Sequence, residues 1–193
     1  MHHLGLIRRF SQVAALASAL IAGGAAQANL VNNGGFETGT FAGWSQFGDT
    51  SNSGISTTAP NSGVYKALFN PMLEGGIEQV LPTVPGTTYD VEFWLRIDGT
   101  PGSTNSFEFN WDGGSPEWTL KDVNPGYGTF HYVLNASSAS TDLRFAFSGG
   151  RTLWSLDDVS VTPRAGSVPE PATAPLALAA LLTLGLLRAG RRR

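Results

Sequence analysis

The stretch TYDVEFWLRID, residues 88–98, limits the fold more than any other segment of the chain. Tyr89, Val91, Phe93, Leu95 and Ile97 alternate with Asp90, Glu92, Trp94 and Arg96. A period of two puts the first set on one face of an extended strand and the second on the other. Pro85-Gly86 precedes it as a turn, and Gly99 with Pro101-Gly102 ends it. The alternation recurs in NSFEFNW, with Phe107, Phe109 and Trp111 on one face, and in TFHYVLN, with Phe130, Tyr132 and Leu134. DLRFAF offers Leu143, Phe145 and Phe147, and LWSLDDVSVT closes the series with Val159 and Val161. Shorter strands are expected over 64–69 and 76–81, and no stretch between residues 29 and 163 shows a helical period. About eight or nine strands, each with one apolar face, predict an all-β fold: a two-sheet antiparallel β-sandwich of the jelly-roll kind. The 24 glycines and 11 prolines suit its many tight turns.

Residues 29–163 carry five basic against fourteen acidic side chains, a net charge of −9, while the whole chain of 193 residues sums to −3. An acidic body argues against nucleic acid as a partner, because phosphates need clustered Lys and Arg. It suits a secreted domain that stays soluble and can hold a divalent cation. There is no cysteine, which removes disulfides, thiolate nucleophiles and cysteine-based zinc sites together. A domain of this size buries enough core without such staples.

The other basic residues lie toward the ends. Arg8 and Arg9 flank a small, apolar run over 13–26, and Ala26-Gln27-Ala28 places small residues at −3 and −1. Residues 1–28 therefore read as a secretory signal helix, cut after Ala28. Residues 172–187 are apolar, but as a helix they would reach only about 24 Å against a hydrocarbon core of roughly 30 Å. Pro175 shortens the usable helix further, and the following arginines prefer the cytoplasmic side. The expected organisation is signal (1–28), β-sandwich (29–163), linker (164–171), then an apolar membrane helix with an Arg-rich tail (172–193).

Val168-Pro169-Glu170-Pro171, the short apolar run and the terminal arginines resemble the PEP-CTERM sorting signal of Gram-negative bacteria. The resemblance implies an exosortase-type membrane peptidase as partner and cleavage near Pro169, Glu170 and Pro171. It also implies transient anchorage in the inner membrane, then release or transfer to the cell surface or the extracellular space. The chemistry is compatible: two prolines keep the segment extended and outside the helix, open to a protease.

NLVNNGGFETGTFAGW near the start, QVLPTVPGTTYDVEFWLR in the middle and WSLDDVSV at the end resemble galactose-binding-like jelly rolls of carbohydrate-binding modules. That likeness implies a first strand over the opening segment, lying beside the last, with a structural calcium ion bridging the two. Glu37 and Asp157 are the matching carboxylates, and backbone carbonyls would complete the hard oxygen shell. In the absence of calcium, Glu37 would end a strand and Asp157 would cap a turn. The likeness also implies a polysaccharide partner.

Aromatic rings stack on sugars while carboxylates, amides and guanidinium groups bond the hydroxyls. Glu92, Trp94, Arg96, Glu108 and Asn110 make up the non-core face of two strands, with Trp118 at its rim, and they form the candidate sugar site. The alternative is a solvated face with Trp94 shielded by a loop, while Trp44 belongs in the core. Glu92 with Glu108 could also imitate a glycoside hydrolase pair. Gly-x-Ser-x-Gly, His-Glu-x-x-His and phosphate-binding glycine loops are missing, and His131 is the only histidine beyond the signal. The expected role is therefore a non-catalytic exported protein that binds or organises extracellular polysaccharide. A purely structural matrix or biofilm protein, without a sugar site, is the alternative.

Overall fold

The computed structural model describes residues 28–98, 105–121, 126–149, 152–164 and 166. The signal segment up to residue 27, the Pro-Glu-Pro motif and the C-terminal apolar run lie outside them. The described residues form ten strands and no helix. They are β1 (Ser45–Gly48), β2 (Gly54–Ser56), β3 (Lys66–Phe69), β4 (Gly75–Leu81) and β5 (Thr88–Asp98), followed by β6 (Ser106–Trp111), β7 (Trp118–Lys121), β8 (Tyr127–Asn135), β9 (Thr141–Ser148) and β10 (Leu153–Pro163). A first sheet has the order β1-β4-β9-β6-β7 and a second the order β2-β3-β10-β5-β8. Every pairing is antiparallel. From β3 onward the chain crosses between sheets at nearly every connection, the winding of a jelly roll.

The seven segments expected from alternation are β3, β4, β5, β6, β8, β9 and β10. β1, β2 and β7 have only three or four residues each, too few for a period of two to register. The opening segment departs from expectation, because residues 29–44 form successive turns and no strand. Asn33 and Phe36 take φ of 55° and 58°. The Asn33 amide donates to the carbonyls of Thr40 and Ala42, both at 3.0 Å, and its oxygen accepts the Thr38 amide at 3.2 Å. An asparagine that bonds its own loop in this way competes with a sheet ladder and wins. The segment still runs beside β10: Leu30 donates to Val161 O at 2.8 Å and Val159 donates to Gly34 O at 3.0 Å. A Cβ at Gly34 would lie 1.9 Å from the Val159 carbonyl oxygen, so only glycine allows this approach.

Between the sheets the core is largely aromatic. Phe93 of β5 meets Phe107, Phe109 and Phe145 of the first sheet at ring-centroid distances of 5.9, 5.2 and 5.1 Å. Within its own sheet it stacks on Phe130 and Tyr132 of β8. Phe69 and Phe147 stack nearly parallel across the two sheets at 4.2 Å. Each such ring contributes roughly 1.5–3 kcal/mol of burial. The packing consumes the inward face of every long strand, so any ligand chemistry on the sheets must sit on their outer faces.

Candidate functional site

The six residues expected to share a sugar-binding face occupy three different places. Glu92, Trp94 and Arg96 belong to β5 in the second sheet, and Glu108 and Asn110 to β6 in the first. Both groups point away from the core, and hence in opposite directions. Trp118 turns inward: its ring packs on Phe130 at 4.4 Å and on Phe107 at 5.5 Å, linking β7 of one sheet to β8 of the other. Trp94 is only 6% exposed, with the Arg96 guanidinium 5.5 Å from its ring centroid, so it offers no open stacking surface. Glu92 and Glu108, on opposite sides of the sandwich, cannot form a hydrolase pair, which requires roughly 5–9.5 Å between carboxyls. Trp44 joins the core as expected.

The outer face of the first sheet carries a different grouping. Cross-strand register aligns Phe47, Gly76, Ala146, Glu108 and Thr119 in one row across β1, β4, β9, β6 and β7. The next row holds Ser45, Glu78, Arg144 and Asn110. Gly76 and Ala146 lack long side chains, and both are buried, Ala146 only 3% exposed, because the side chains around them close over the strand. A Cβ on Gly76 would come within 3.0 Å of the Phe47 ring and 2.0 Å of Phe145 O, which shows how closely the ring lies on the strand. The Arg144 guanidinium sits 3.9 Å from the Phe47 ring centroid and donates through Nη2 to Glu74 Oε1 at 3.0 Å. Its Nε has no acceptor. Beside it, Asn110 is 9% exposed and donates through Nδ2 to Gly114 O at 3.3 Å. Its Oδ1 receives no hydrogen bond from the described residues.

Sequence reading found Glu108 and Asn110 but missed Phe47 and Arg144. Phe47 lies in a strand of four residues, and Arg144 reads as an ordinary outward residue of β9. The available signal was Gly75-Gly76 at the start of a strand, since glycine there marks close approach by another group.

The carboxylates proposed for calcium lie on the second sheet's side. Both Glu37 oxygens accept the Val64 amide at 3.0 and 3.1 Å, and Oε1 also accepts Tyr65 N–H at 3.1 Å. Gly63, at φ +57°, makes room: a Cβ there would lie 2.2 Å from Glu37 Oε1. Asp157 Oδ2 accepts the amides of Asn61 (2.8 Å) and Ser62 (3.4 Å), and Oδ1 accepts Asp158 N–H at 2.8 Å. Asp158, at φ 50° in the β10 bulge, accepts from Asn61 Nδ2 at 2.6 Å and Ser62 Oγ at 2.5 Å. Glu37 and Asp157 flank Gly35, whose Cβ would lie 3.7 Å from Glu37 Cγ and 4.0 Å from Asp157 Oδ1. The donor set is hard oxygen, with lone pairs to spare on each carboxylate. Among the described residues, no group of three His, Cys, Asp or Glu is arranged to hold a metal ion, so carbonyl oxygens would have to supply the rest.

Two carboxyls here have displaced pKa values of opposite sign. Burial pushes Asp157 up to about 6, and the adjacent Asp158 charge adds to the rise against the amide bonds. Asp49, which holds the β1–β2 turn to the β3–β4 loop, is lowered to about 2 by the Ser51 hydroxyl and by the amides of Leu73, Ser51 and Met72. A raised folded-state pKa gives stability that is full below the unfolded value and lost as pH rises through the folded one. A lowered pKa gives stability present above the unfolded value and lost as pH falls. Asp157 therefore weakens the fold as pH climbs from about 4 to about 6, and Asp49 weakens it as pH drops from about 4 to about 2. Melting temperatures measured across this range should show Asp157→Asn removing the upper decline and Asp49→Asn removing the lower one. Parallel curves for wild type and Asp157→Asn above about pH 4 would disprove the assignment.

No protein-family model matches this sequence, and no curated protein matches it. Solved structures do resemble the fold. The carbohydrate-binding module TmCBM61, in complex with beta-1,4-galactotriose, superposes with a TM-score of 0.55 at 17% identity, over 71% of this chain and 99% of that one. The CBM22-1 xylan-binding domain of Paenibacillus barcinonensis Xyn10C gives 0.54 at 13% identity, over 71% and 95% of the two chains. A family 16 carbohydrate-binding module gives 0.51 at 15% identity, over 69% and 99%. At these identities the likeness establishes a shared jelly-roll architecture.

Proposed function

We propose that this chain is a non-catalytic polysaccharide-binding protein whose ligand lies across the outer face of the first sheet. The observation that carries the reading is the Phe47–Arg144 ledge, which lies over the buried Gly76 and stands in the row beside Asn110, whose Oδ1 has no donor among the described residues. An aromatic edge and guanidinium can cover the apolar face of a sugar while the amide oxygen accepts a hydroxyl proton. The three modules with the same architecture, described by their structures as carbohydrate-binding or bound to an oligosaccharide, support it by analogy. A matrix protein that packs on other proteins is the second reading, favoured by Met72 and Leu73, 67% and 74% exposed on a loop held by Asp49. Calorimetry against soluble β-linked galacto-, xylo- and gluco-oligosaccharides tests the first. Phe47→Ala and Arg144→Ala should each weaken binding about tenfold or more, while Trp94→Phe on the opposite side leaves it intact. Absence of binding to all three, or no loss in the Phe47 variant, would favour the matrix reading.

Calcium at Glu37 and Asp157 belongs to the same proposal as a structural ion. Both carboxylates flank Gly35, and a cation there would stabilise the charged form that burial disfavours at Asp157. Glu37 and Asp157 would hold it, and its contribution would be to fasten the opening loop to β10. Added calcium should raise the melting temperature of the EDTA-treated protein and Asp157→Asn should cancel the rise. An identical melt with and without calcium removes the ion from the scheme.

Export rests on the sequence of the ends: a signal cut after Ala28, then anchorage and exosortase processing at Pro169-Glu170-Pro171 on the way to the cell surface or beyond. Intact-mass measurement of the protein recovered from a Gram-negative host that carries an exosortase should find both ends trimmed. Retention of residues 172–193 in that host, with or without Pro169→Ala and Pro171→Ala, would refute the sorting role.

A further inference from the structure

We propose that the open edge of β8 pairs antiparallel with β8 of a second copy of this chain, joining the two second sheets into one sheet of ten strands. The inference is independent of the polysaccharide reading above. Each sheet of the sandwich ends in two edge strands, β1 and β7 in the first, β2 and β8 in the second. β1, β2 and β7 have only three or four residues, a common protection against strand addition. β8 has nine. Its sequence, YGTFHYVLN, contains no Lys, Asp, Glu or Pro, and its register with β5 runs from Tyr127 to Asn135 without a bulge. The devices that blunt a long edge are therefore missing from the strand itself.

The ladder shows which backbone groups stay open. At the two ends of the β5–β8 pairing, Ala136 donates to Thr87 O and Ile97 donates to Gly126 O, both at 3.0 Å. These bonds continue the register, so the even-numbered residues of β8 bond to β5 and the odd-numbered ones turn N–H and C=O to the free side. Asn135 is partly committed, since its carbonyl accepts the Trp111 indole N–H at 2.9 Å. Thr129, His131 and Val133 keep both groups available, and their side chains are exposed. The apolar core reaches solvent on the same side of the sandwich. Phe130, Tyr132 and Leu134 are only partly buried, as is Trp118 of β7, which packs on Phe130 at 4.4 Å.

The strand is complementary to itself. A two-fold axis at His131 pairs Thr129 with Val133 of the second copy, His131 with its counterpart and Val133 with Thr129, two hydrogen bonds in each of three pairs. Between them Phe130 meets Tyr132 of the second copy on both sides of the axis, and Leu134 falls opposite Gly128, which has no side chain to displace. His131 is bonded to Asp90 of its own chain at 2.9 Å and stands beside Glu92 in the register, so a charge on it is answered within each copy. An axis at Tyr132 would instead set Thr129 against the committed Asn135. The axis at His131 stands perpendicular to the sheet, which leaves both first sheets on one side with their outer faces pointing the same way.

Sedimentation equilibrium of the full chain at about pH 8, above the ordinary histidine range, tests the pairing. A monomer–dimer equilibrium is expected, and salt should strengthen it, since residues 29–163 of each copy carry a net charge of −9. Thr129→Lys and Val133→Lys should each weaken the dimer about tenfold or more. Val80→Lys, the same change at a 63% exposed valine of the interior strand β4, should leave it unchanged. Because the chain has no cysteine, a single thiol reports the register. His131→Cys should cross-link two copies on mild oxidation, as the paired Cα atoms would stand about 5.5 Å apart, within disulfide range. Glu92→Cys, three strand spacings or roughly 14 Å from its counterpart, should not. A monomer at every concentration, or equal cross-linking of the two thiols, overturns the inference. A dimer that survives both lysine variants also overturns it, and points to association through the apolar run over 172–187. Slow hydrogen exchange at the Thr129, His131 and Val133 amides of dilute monomer would show that a segment of the same chain fills the edge, which overturns it too.

Discussion

Everything else in this domain depends on the packing of aromatic rings between its two sheets. With no cysteine to cross-link them, the sheets are held chiefly by side-chain burial, and Phe93 lies where that burial converges. Its ring touches β6 and β9 across the interior and β8 beside it, so both sheets and the sandwich edge share one contact. Trp118 completes that edge by lying on Phe130. Among the described residues, the space between the sheets is occupied by these rings. The two outer faces and the loops are left to carry the charges and the chemistry.

The acidic excess has a structural use in those loops. Glu37, Asp49 and Asp157 each accept two or more backbone amides from a loop distant in sequence, charge-assisted bonds like those at a helix N-cap but made at long range. Such carboxylates satisfy N–H groups that irregular backbone would otherwise leave unpaired. The opposite displacements of Asp49 and Asp157 follow from surroundings: one is exposed among donors, the other is buried beside a second acid. A composition that reads as a solubility device is thus partly a set of loop clasps.

The two outer faces differ in how much of their chemistry is already committed. On the second sheet, Trp94, Ser155 and Asp157 face outward yet are buried, and Asp157 is bonded to the loop over 61–62. On the first sheet, Glu78, Glu108 and Asn110 Oδ1 have no hydrogen-bond partner among the described residues, and the buried Arg144 Nε has no acceptor. The proposed sugar site draws on this difference, since it sets these uncommitted polar groups next to an aromatic–guanidinium ledge.

Alternation by itself determined which residues of β5, β6, β8 and β9 point inward, because side-chain parity in a strand is a local property of the backbone, whereas the bulge in β10 switches the inward set from Trp154 and Leu156 to Val159 and Val161. It placed Phe93, Phe107, Phe145 and Val161 in the core without knowledge of any partner strand. Parity cannot say which sheet a strand joins. That choice depends on pairings such as β10 with β3 and β5, or β4 with β9, made by residues far apart in the chain. Glu92 and Glu108 have the same parity and seem neighbours in the sequence, yet the crossover between β5 and β6 sends them to opposite sides. Phe47 and Arg144 share no local pattern and come together only because β1 and β9 both flank β4. Sequence determined the inside and outside of the long regular strands; only the tertiary structure decided the parity of the short strands and of bulged β10, and which outsides share a face, since hydrogen-bonded strand neighbours are set by long-range closure of the sandwich.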